Sequence, residues 1–335
     1  AATVGNTKNI FFMSGQNQFP LVSVVLATYN GEKYLREQLD SVLTQTYPNI
    51  EVIAVDDKST DDTVNILQQY ANHHPNIKMF VNEINLGFIK NFERGCGLST
   101  GEYIAPCDQD DYWLPDKIKR EVENIGTHAM IYCDSEICDD KLQKSGKKIS
   151  DNVVCKNWYS CLEYAVFARI YGNTLLFKRS LFERAYPFVE VIPHDWWLAF
   201  NATLDSGFSF LPEGLVLYRQ HANNVYGAIG RKKVLDKENK AAATTSDVEK
   251  LKLSLKKNEA IRRRMNVFYN QCPSDLQKEK HVLYQLNKSY QSFSFYNNLV
   301  RMFLFFKYYQ LLLATKKRSL LRKYLFCLKM FTSIK

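Results

Sequence analysis

Residues 21–27 (Leu-Val-Ser-Val-Val-Leu-Ala) form a short, β-branched apolar run, the pattern of a buried strand. An Asn30-Gly31 turn follows, and Tyr34, Leu35, Leu39, Val42 and Leu43 then recur at helical spacing until Pro48. The alternation continues with a strand over 50–55, a helix opened by Ser59 and Thr60, a strand over 77–81 and a helix over 86–96. A strand over 102–107, a helix with Pro115 in its first turn and a fifth strand over 129–133 complete the series. Such regular alternation predicts a parallel sheet covered by helices, with ligands beyond the carboxyl ends of the strands. Three polar clusters fall at such ends: Thr28-Tyr29-Asn30, Asp56-Asp57 and Asp108-Gln109-Asp110-Asp111. They are expected to converge on one crevice.

The alternation lapses after residue 134. Residues 134–157 are polar and lysine-rich and read as a loop over the site. Asn173–Phe177 reads as a strand followed by a short helix, and His194-Asp195-Trp196-Trp197 opens an apolar helix reaching Leu204. Short strands over 208–211 and 215–218 lead to Arg219-Gln220-His221. From 231 onward the pattern is helical, with breaks near Thr244–Asp247 and at Cys272-Pro273. In the final stretch Leu320, Leu321, Tyr324, Leu325, Leu328 and Phe331 share one helical stripe among six lysines and arginines. This organisation predicts a tag or tail over 1–18, an α/β domain over 19–230 and a basic helical region over 231–335.

With 46% hydrophobic and 24% charged residues, the 335-residue chain has the profile of a packed globular protein. Its eight cysteines form no CxxC, which favours reduced thiols and a cytosolic compartment. No secretory signal is visible in residues 1–18, and Met13 is a candidate native start. The apolar stretches Met302–Phe306 and Leu311–Ala314 are interrupted by Lys307 and Gln310, well short of the roughly 20 residues that span a bilayer.

The net charge of +9 hides an asymmetry: residues 231–335 hold 24 Lys+Arg against 7 Asp+Glu, and residues 1–230 hold 20 against 28. A basic, leucine- and aromatic-bearing helix of this kind reads as lying on an anionic membrane surface. The competing readings are a helical subdomain packed on the α/β domain and a homodimer interface. Nucleic-acid binding is disfavoured, because the basic region carries no recognition motif and its aromatics fall on helix faces.

Carboxylates packed as densely as Asp108, Asp110 and Asp111 repel one another unless a cation joins them. Mg²⁺ or Mn²⁺ prefers such oxygen donors and keeps positions open for substrate phosphates. The alternative is an acidic turn that closes a strand and caps the next helix.

Four strings occur in order: Val24-Val25-Leu26-Ala27-Thr28-Tyr29-Asn30-Gly31, Val55-Asp56-Asp57-Lys58-Ser59-Thr60-Asp61, Asn85-Leu86-Gly87 and Asp108–Asp111. Over residues 20–230 the chain thereby resembles the family-two glycosyltransferases, with the GT-A nucleotide-diphospho-sugar fold, a Rossmann-like, mainly parallel α/β sheet. Three further strings resemble bacterial rhamnosyltransferases of cell-surface polysaccharide synthesis. They are Asn85–Phe92, His194–Leu198 and Leu217–His221, with Asn223–Ala228 just after them. Lys58 departs from the wider family, which usually has glycine there.

The resemblance implies an inverting, metal-dependent transfer of a sugar, rhamnose from a dTDP donor or a hexose from a UDP donor. The acceptor it implies is a lipid-linked or growing polysaccharide at the inner leaflet, reached by a cytoplasmic, peripheral enzyme. It places Asp56 by the nucleobase or ribose, with Asp57 beside it or structural, and Tyr29 stacked on the base or simply packed. Asp108 and Asp110 would hold the metal, with His221 as a third ligand or a surface histidine, and Asp111 behind them or capping a helix. Arg219 would close over the diphosphate, and Lys90 would contact phosphate or lie exposed. Asp195 would be the base that deprotonates the acceptor hydroxyl, or a helix N-cap, or both. His194 would orient Asp195, touch the acceptor or pack, and Trp196 and Trp197 would form a sugar platform with one of them in the core. An inactive scaffold of the same fold is the remaining rival, weakened by the complete acidic cluster.

Overall fold

The computed structural model describes residues 19–221 and 247–332. The predicted tail over 1–18, the string Asn223–Ala228 and residues 244–246 of the predicted helical break lie outside the described residues. Strand β1 (Val22–Thr28) is followed by α1 (Leu35–Leu43), β2 (Ile50–Asp56), α2 (Thr63–His73), β3 (Ile77–Val81), α3 (Phe88–Leu98) and β4 (Tyr103–Asp108). A two-residue β5 (Tyr112–Trp113), α4 (Lys117–Asn124), β6 (Met130–Cys138), β7 (Lys144–Lys148) and β8 (Leu175–Lys178) come next. The α/β part ends with α5 (Arg179–Ala185), α6 (His194–Ala202) and β9 (Phe208–Arg219). Five further helices follow among the described residues: α7 (Asp247–Gln271), α8 (Gln277–Tyr290), α9 (Phe295–Lys307), α10 (Tyr309–Leu312) and α11 (Leu320–Thr332).

The sheet order is β3-β2-β1-β4-β8-β6-β9-β5, with β7 paired to β6. Strands β3, β2, β1 and β4 are parallel, as the βαβ alternation requires. The chain winds outward from β1 to β3 and then returns to β4 on the other side of β1. That reversal makes a topological switch point, where a crevice opens past the strand ends. Register brings the clusters level there: Thr28 lies opposite Asp56, and Ala27 opposite Asp108. Beyond β4 the sheet is mixed, because β8 runs antiparallel to both β4 and β6. Pairing of β4 with β8 covers only Tyr103 and Ile104. Pro106, which has no N–H to donate, stands past that last pair.

Two expected elements differ. The fifth strand runs on to Cys138 and turns into β7, so part of the 134–157 loop is a hairpin. The hydrophobic pattern missed it because Asp134 is buried in the strand, its carboxylate accepting from Ser150 N and Oγ. Residues 208–211 and 215–218 form one strand, β9, with an irregular register against β6 where Pro212, Glu213 and Gly214 intervene.

Each face of the sheet carries its own core. One contains Val24, Leu26, Leu39, Ala54 and Leu67 beneath α1 and α2. The other runs from Val25 and Phe92 through Phe177 and Phe200 into Phe268, Phe305 and Leu312 of the C-terminal helices. Phe268 of α7 stacks on Phe200 of α6 with ring centroids 4.1 Å apart. The helical region therefore shares a core with the α/β part. All eight cysteines are free thiols.

At the opposite end of the strands from the crevice, Glu51 ties four segments together. Its carboxylate accepts from Ser23 Oγ, Thr100 N and Thr100 Oγ1, each at 2.7 Å, and from Lys78 Nζ at 3.0 Å. Burial alone would push this carboxyl up, but the bonds from Ser23, Thr100 and Lys78 outweigh it and hold it at about 2, below its ordinary 4.5. A depressed carboxyl stabilises the fold above its unfolded value, and that stabilisation is lost as pH falls through the folded value. Glu51→Gln is expected to lower unfolding free energy by about 2 kcal/mol near neutrality. The difference from wild type should shrink as pH falls from 4.5 toward 2. Denaturant unfolding over that range checks it, and a gap that does not vary with pH contradicts it.

Candidate active site

Four loops meet at the carboxyl ends of β1, β2, β3 and β4, and buried carboxylates lock them to one another. Asp56, at the end of β2, accepts from Thr28 Oγ1 at 2.9 Å, from Ser59 Oγ at 2.5 Å and from Ser59 N at 2.8 Å. Asn30 donates its backbone N–H to Ser59 Oγ and accepts from Thr60 N, both at 2.8 Å. Ser59 and Thr60 thus fasten two loops, and α2 begins only at Thr63. Lys58 has φ +66°, the left-handed region that glycine occupies without strain, which accounts for the glycine usual at this position.

Asp57, read as lying beside the donor or as structural, has its partners within the protein. It accepts from Asn82 Nδ2 at 2.7 Å and from the backbone N–H groups of Leu86 at 2.7 Å and Gly87 at 2.8 Å. These amides precede α3, so Asp57 acts as a remote cap for that helix. The Asn85-Leu86-Gly87 string is legible in these terms: Gly87 has φ +79° and presents its N–H to the carboxylate.

Tyr29 projects into solvent, 48% exposed, at the crevice edge. Its backbone N–H donates to Gln109 Oε1 at 2.8 Å, and its carbonyl accepts from Gln109 Nε2 at 3.0 Å. Gln109 also packs on Gly31, where a Cβ would lie 2.2 Å from Oε1. The sequence reading did not single out Gln109. Its only signal was its place inside the acidic string.

The three aspartates of that string differ in environment. Asp108 is half-buried, and its carboxylate accepts no hydrogen bond among the described residues. Burial, and then the charges of Asp110 and Asp195, push its carboxyl up to about 7. Asp110 contacts His221 (Oδ2 to Nε2, 2.8 Å), and the His221 ring lies 5.0 Å from that of Tyr34. Asp111 is buried, accepts from Arg219 N at 2.9 Å and from Asn173 Nδ2, and is pushed up by burial, Asp110 and Asp108. It is an internal brace between the acidic loop, β9 and the 3-10 turn Gly172–Thr174.

Among the described residues, no group of three or more His, Cys, Asp or Glu side chains stands converged as a ligand set. The pair Asp110–His221 is formed, and Asp108 does not join it. The donor chemistry nevertheless suits a divalent cation. Two carboxylates and an imidazole come from the ends of β4 and β9, and one carboxylate is unpartnered in a negative surrounding.

Arg219 was expected over the diphosphate. It is buried, with Nε donating to Asp110 O at 2.8 Å, Nη1 to Asp140 O at 2.5 Å and Nη2 to Glu37 Oε2 at 2.5 Å. Its guanidinium also lies 4.3 Å over the Tyr34 ring. These contacts make it a clamp between α1, the acidic loop and the β6–β7 turn. Lys90 is likewise engaged within the protein, with Glu93 Oε1 at 2.9 Å and Phe188 O at 3.1 Å.

Asp195 lies in the first turn of α6, and the N-cap position is held by Pro193, so its carboxylate is free of that role. Its Oδ1 accepts from Trp196 N at 2.7 Å, and burial raises its carboxyl to about 6. Because its charge contributes to the upward push on Asp108, α6 presents it within electrostatic reach of the acidic loop. His194 is buried and stacks on Phe92 at 4.1 Å, and burial lowers it to about 3, which leaves the imidazole neutral. Neither of its ring nitrogens has a partner among the described residues. The tryptophans do not form an open platform. Trp197 is buried, donates to Ala185 O at 2.7 Å and stacks with Phe200. Trp196 donates to Tyr164 O at 2.6 Å and lies 4.5 Å beneath the Arg264 guanidinium. Trp197 is covered and Trp196 half-covered because α7 packs on this side of α6, which the chain's own pattern could not reveal.

The family model for glycosyl transferase family 2 matches residues 23–198, more than half of the chain. A Haemophilus influenzae uncharacterized glycosyltransferase is 30% identical over 220 residues, 61% of this chain and 67% of that protein. A Shigella flexneri dTDP-rhamnosyl transferase, RfbG, is 32% identical over 220 residues, 61% of this chain and 74% of that protein. Mycobacterium tuberculosis relatives, 31% identical, are matched over 60% of their own length. Among solved structures, the Pyrobaculum calidifontis mannosyltransferase PcManGT, in complex with GDP-Man and Mn²⁺, superposes with a TM-score of 0.52. That match has 19% identity over 94% of this chain and 81% of that one. Staphylococcus aureus TarS 1–349 with UDP-GlcNAc gives 0.51, at 18% identity over 81% of this chain and 91% of that one. At such identities these two structures establish the fold alone. The family match and the fold agree with the loop-end carboxylates of the β1/β4 crevice, and the chain belongs to glycosyltransferase family 2, a transferase of the GT-A fold.

Proposed function

We propose that this glycosyltransferase moves L-rhamnose from dTDP-rhamnose, with inversion, onto a lipid-linked or growing bacterial surface polysaccharide. One observation carries the transfer reading. At the β1/β4 switch point an unpartnered Asp108 carboxylate faces the charges of Asp110 and Asp195, an arrangement that a cationic group and a diphosphate-bearing substrate would complete. The rhamnosyl part draws support from the similarity to RfbG and from the strings at 85–92, 194–198 and 217–221.

In this reading Thr28, Tyr29, Asn30 and Asp56 border the nucleoside, with the Tyr29 ring available for stacking. Asp108, Asp110 and His221 are the residues that would hold Mg²⁺ or Mn²⁺. Such an ion, when bound, supplies charge neutralisation on the diphosphate as the anomeric bond breaks. Asp195 takes the proton from the acceptor hydroxyl. Burial raises it to about 6, a basicity better matched to a hydroxyl proton than that of an ordinary aspartate. His194 is neutral and sits directly before Asp195 on α6, the position of an acceptor-side residue.

Two measurements test this. Asp195→Asn is expected to lower kcat by about a thousandfold while leaving donor affinity within about threefold, because the base acts on the acceptor and not on donor binding. A variant that turns over at the wild-type rate removes Asp195 from the chemistry. In a thermal-shift panel of dTDP-rhamnose, UDP-glucose and UDP-N-acetylglucosamine, with and without Mn²⁺ or Mg²⁺, dTDP-rhamnose should give the largest metal-dependent stabilisation. A shift with a UDP-sugar alone overturns the donor assignment, and no metal-dependent shift with any of them overturns the metal site.

A further inference from the structure

Helix α11 is apolar on two sides. Cys327 and Met330 are buried in the helical bundle, whereas Leu320, Leu321, Leu325 and Leu328 are exposed, Leu321 to 68%. At helical spacing Leu321, Leu325 and Leu328 fall on the side away from Cys327 and Met330, whereas Leu320 is exposed as the first residue of the helix. The neighbouring α9 packs against it through Phe295–Phe331 (5.2 Å) and Phe306–Tyr324 (6.0 Å). That helix adds Phe295, Tyr296 and Phe303, exposed to 71%, 72% and 60%. Large apolar side chains concentrated on two adjacent helices exceed the scattered exposure of an ordinary surface and mark an interaction site.

Charge identifies the partner. Residues 280–335 contain eleven Lys or Arg and no Asp or Glu. Some of these cations serve the fold: Arg301 is buried against Tyr290 at 4.2 Å, and Lys317 donates to Ser150 O and Asp151 O. Lys307, Arg322 and Lys329 are exposed on the helices that carry the apolar set. We propose that the α9–α11 face docks on an anionic lipid surface. The leucines and phenylalanines enter the headgroup–acyl boundary, and Lys307, Arg322 and Lys329 lie at phosphate level.

A second copy of the chain is a poorer occupant, because a symmetric contact would press two carboxylate-free cationic faces together. Nucleic acid would leave the leucines unburied. No helix among the described residues is long and apolar enough to cross a membrane, and α9 and α11 set exposed apolar side chains beside cations, the pattern of helices that lie along an interface. The surface stands independently of the donor reading. Delivery of a lipid-linked acceptor to the crevice is the consequence that rests on it.

Flotation of the full chain with vesicles of phosphatidylcholine, with or without about one-third phosphatidylglycerol, tests the proposal. Binding to the anionic vesicles should be about tenfold or more stronger and should fall as salt rises from about 0.1 to 0.5 M. The triple variant Phe303→Glu, Leu321→Glu, Leu325→Glu should lose about tenfold or more of that binding. Arg322→Ala with Lys329→Ala should lose the preference for anionic lipid. All these positions are exposed, so thermal unfolding and donor hydrolysis should stay at wild-type levels. Equal flotation of the triple variant, or no flotation of wild type, overturns the lipid surface. So does a dimer in sedimentation that the triple variant dissolves without any vesicle binding. Donor hydrolysis measured on the same preparations keeps a failure here distinct from a failure of the glycosyltransferase reading.

Discussion

The site depends on buried carboxylates that bond loop backbones at the ends of parallel strands. Asp56 and Asp57 stand side by side and do different work. One holds the β1 end and the Ser59 turn, while the other gathers the amides that precede α3. Each is buried, so a missing partner would leave an unsatisfied anion, at a cost of several kcal/mol. That penalty is what makes the loop geometry definite. Four chain segments distant in sequence must keep one arrangement for these oxygens to be satisfied. The crevice they frame is then preorganised before any substrate enters.

Against that frame of satisfied groups, the unsatisfied ones stand out. Asp111 is as buried as Asp56, and like it receives donors on both oxygens, from Arg219 and Asn173. Asp108, three residues earlier on the same loop, receives none among the described residues and is held up to about 7 by burial and its acidic neighbours. Asp195 is raised to about 6 by burial, and its Oδ1 accepts from the next residue's N–H. Carboxylates left in this state store electrostatic work that a cation or a substrate proton can release. Which aspartates brace loops and which are left with few donors follows from packing, not from their positions in the chain.

The C-terminal helices have two roles set by two kinds of face. Inwardly, Phe268, Phe305 and Leu312 complete a core that begins at Val25 on the central strand, so the helices support α6 and the turn carrying Asp195. Outwardly, α9 and α11 leave aromatic and leucine side chains uncovered among cations. The inner contact also engages both tryptophans, burying Trp197 and leaving Trp196 half-buried against Arg264.

The strand and helix order over the first 133 residues was legible from periodicity, because the central strands β1, β2 and β4 are almost wholly buried and read as largely apolar runs, with β3 more exposed at the edge. The motifs at the strand ends likewise located the crevice, since Thr28, Asp56 and Asp108 follow directly on those runs. The hairpin at β6–β7 was hidden, because a buried but hydrogen-bonded Asp134 looks like a loop residue in one dimension. The roles of Arg219, Lys90, Trp196, Trp197 and Gln109 were hidden for a related reason. A residue type states which bonds a side chain can make, whereas its partner is chosen by segments brought close only on folding. Composition and spacing determined that this chain would build a sheet with acids along one edge. Tertiary packing alone decided which of those acids would be saturated by donors and which would be left with charge to offer, because that depends on the distance between atoms scores of residues apart.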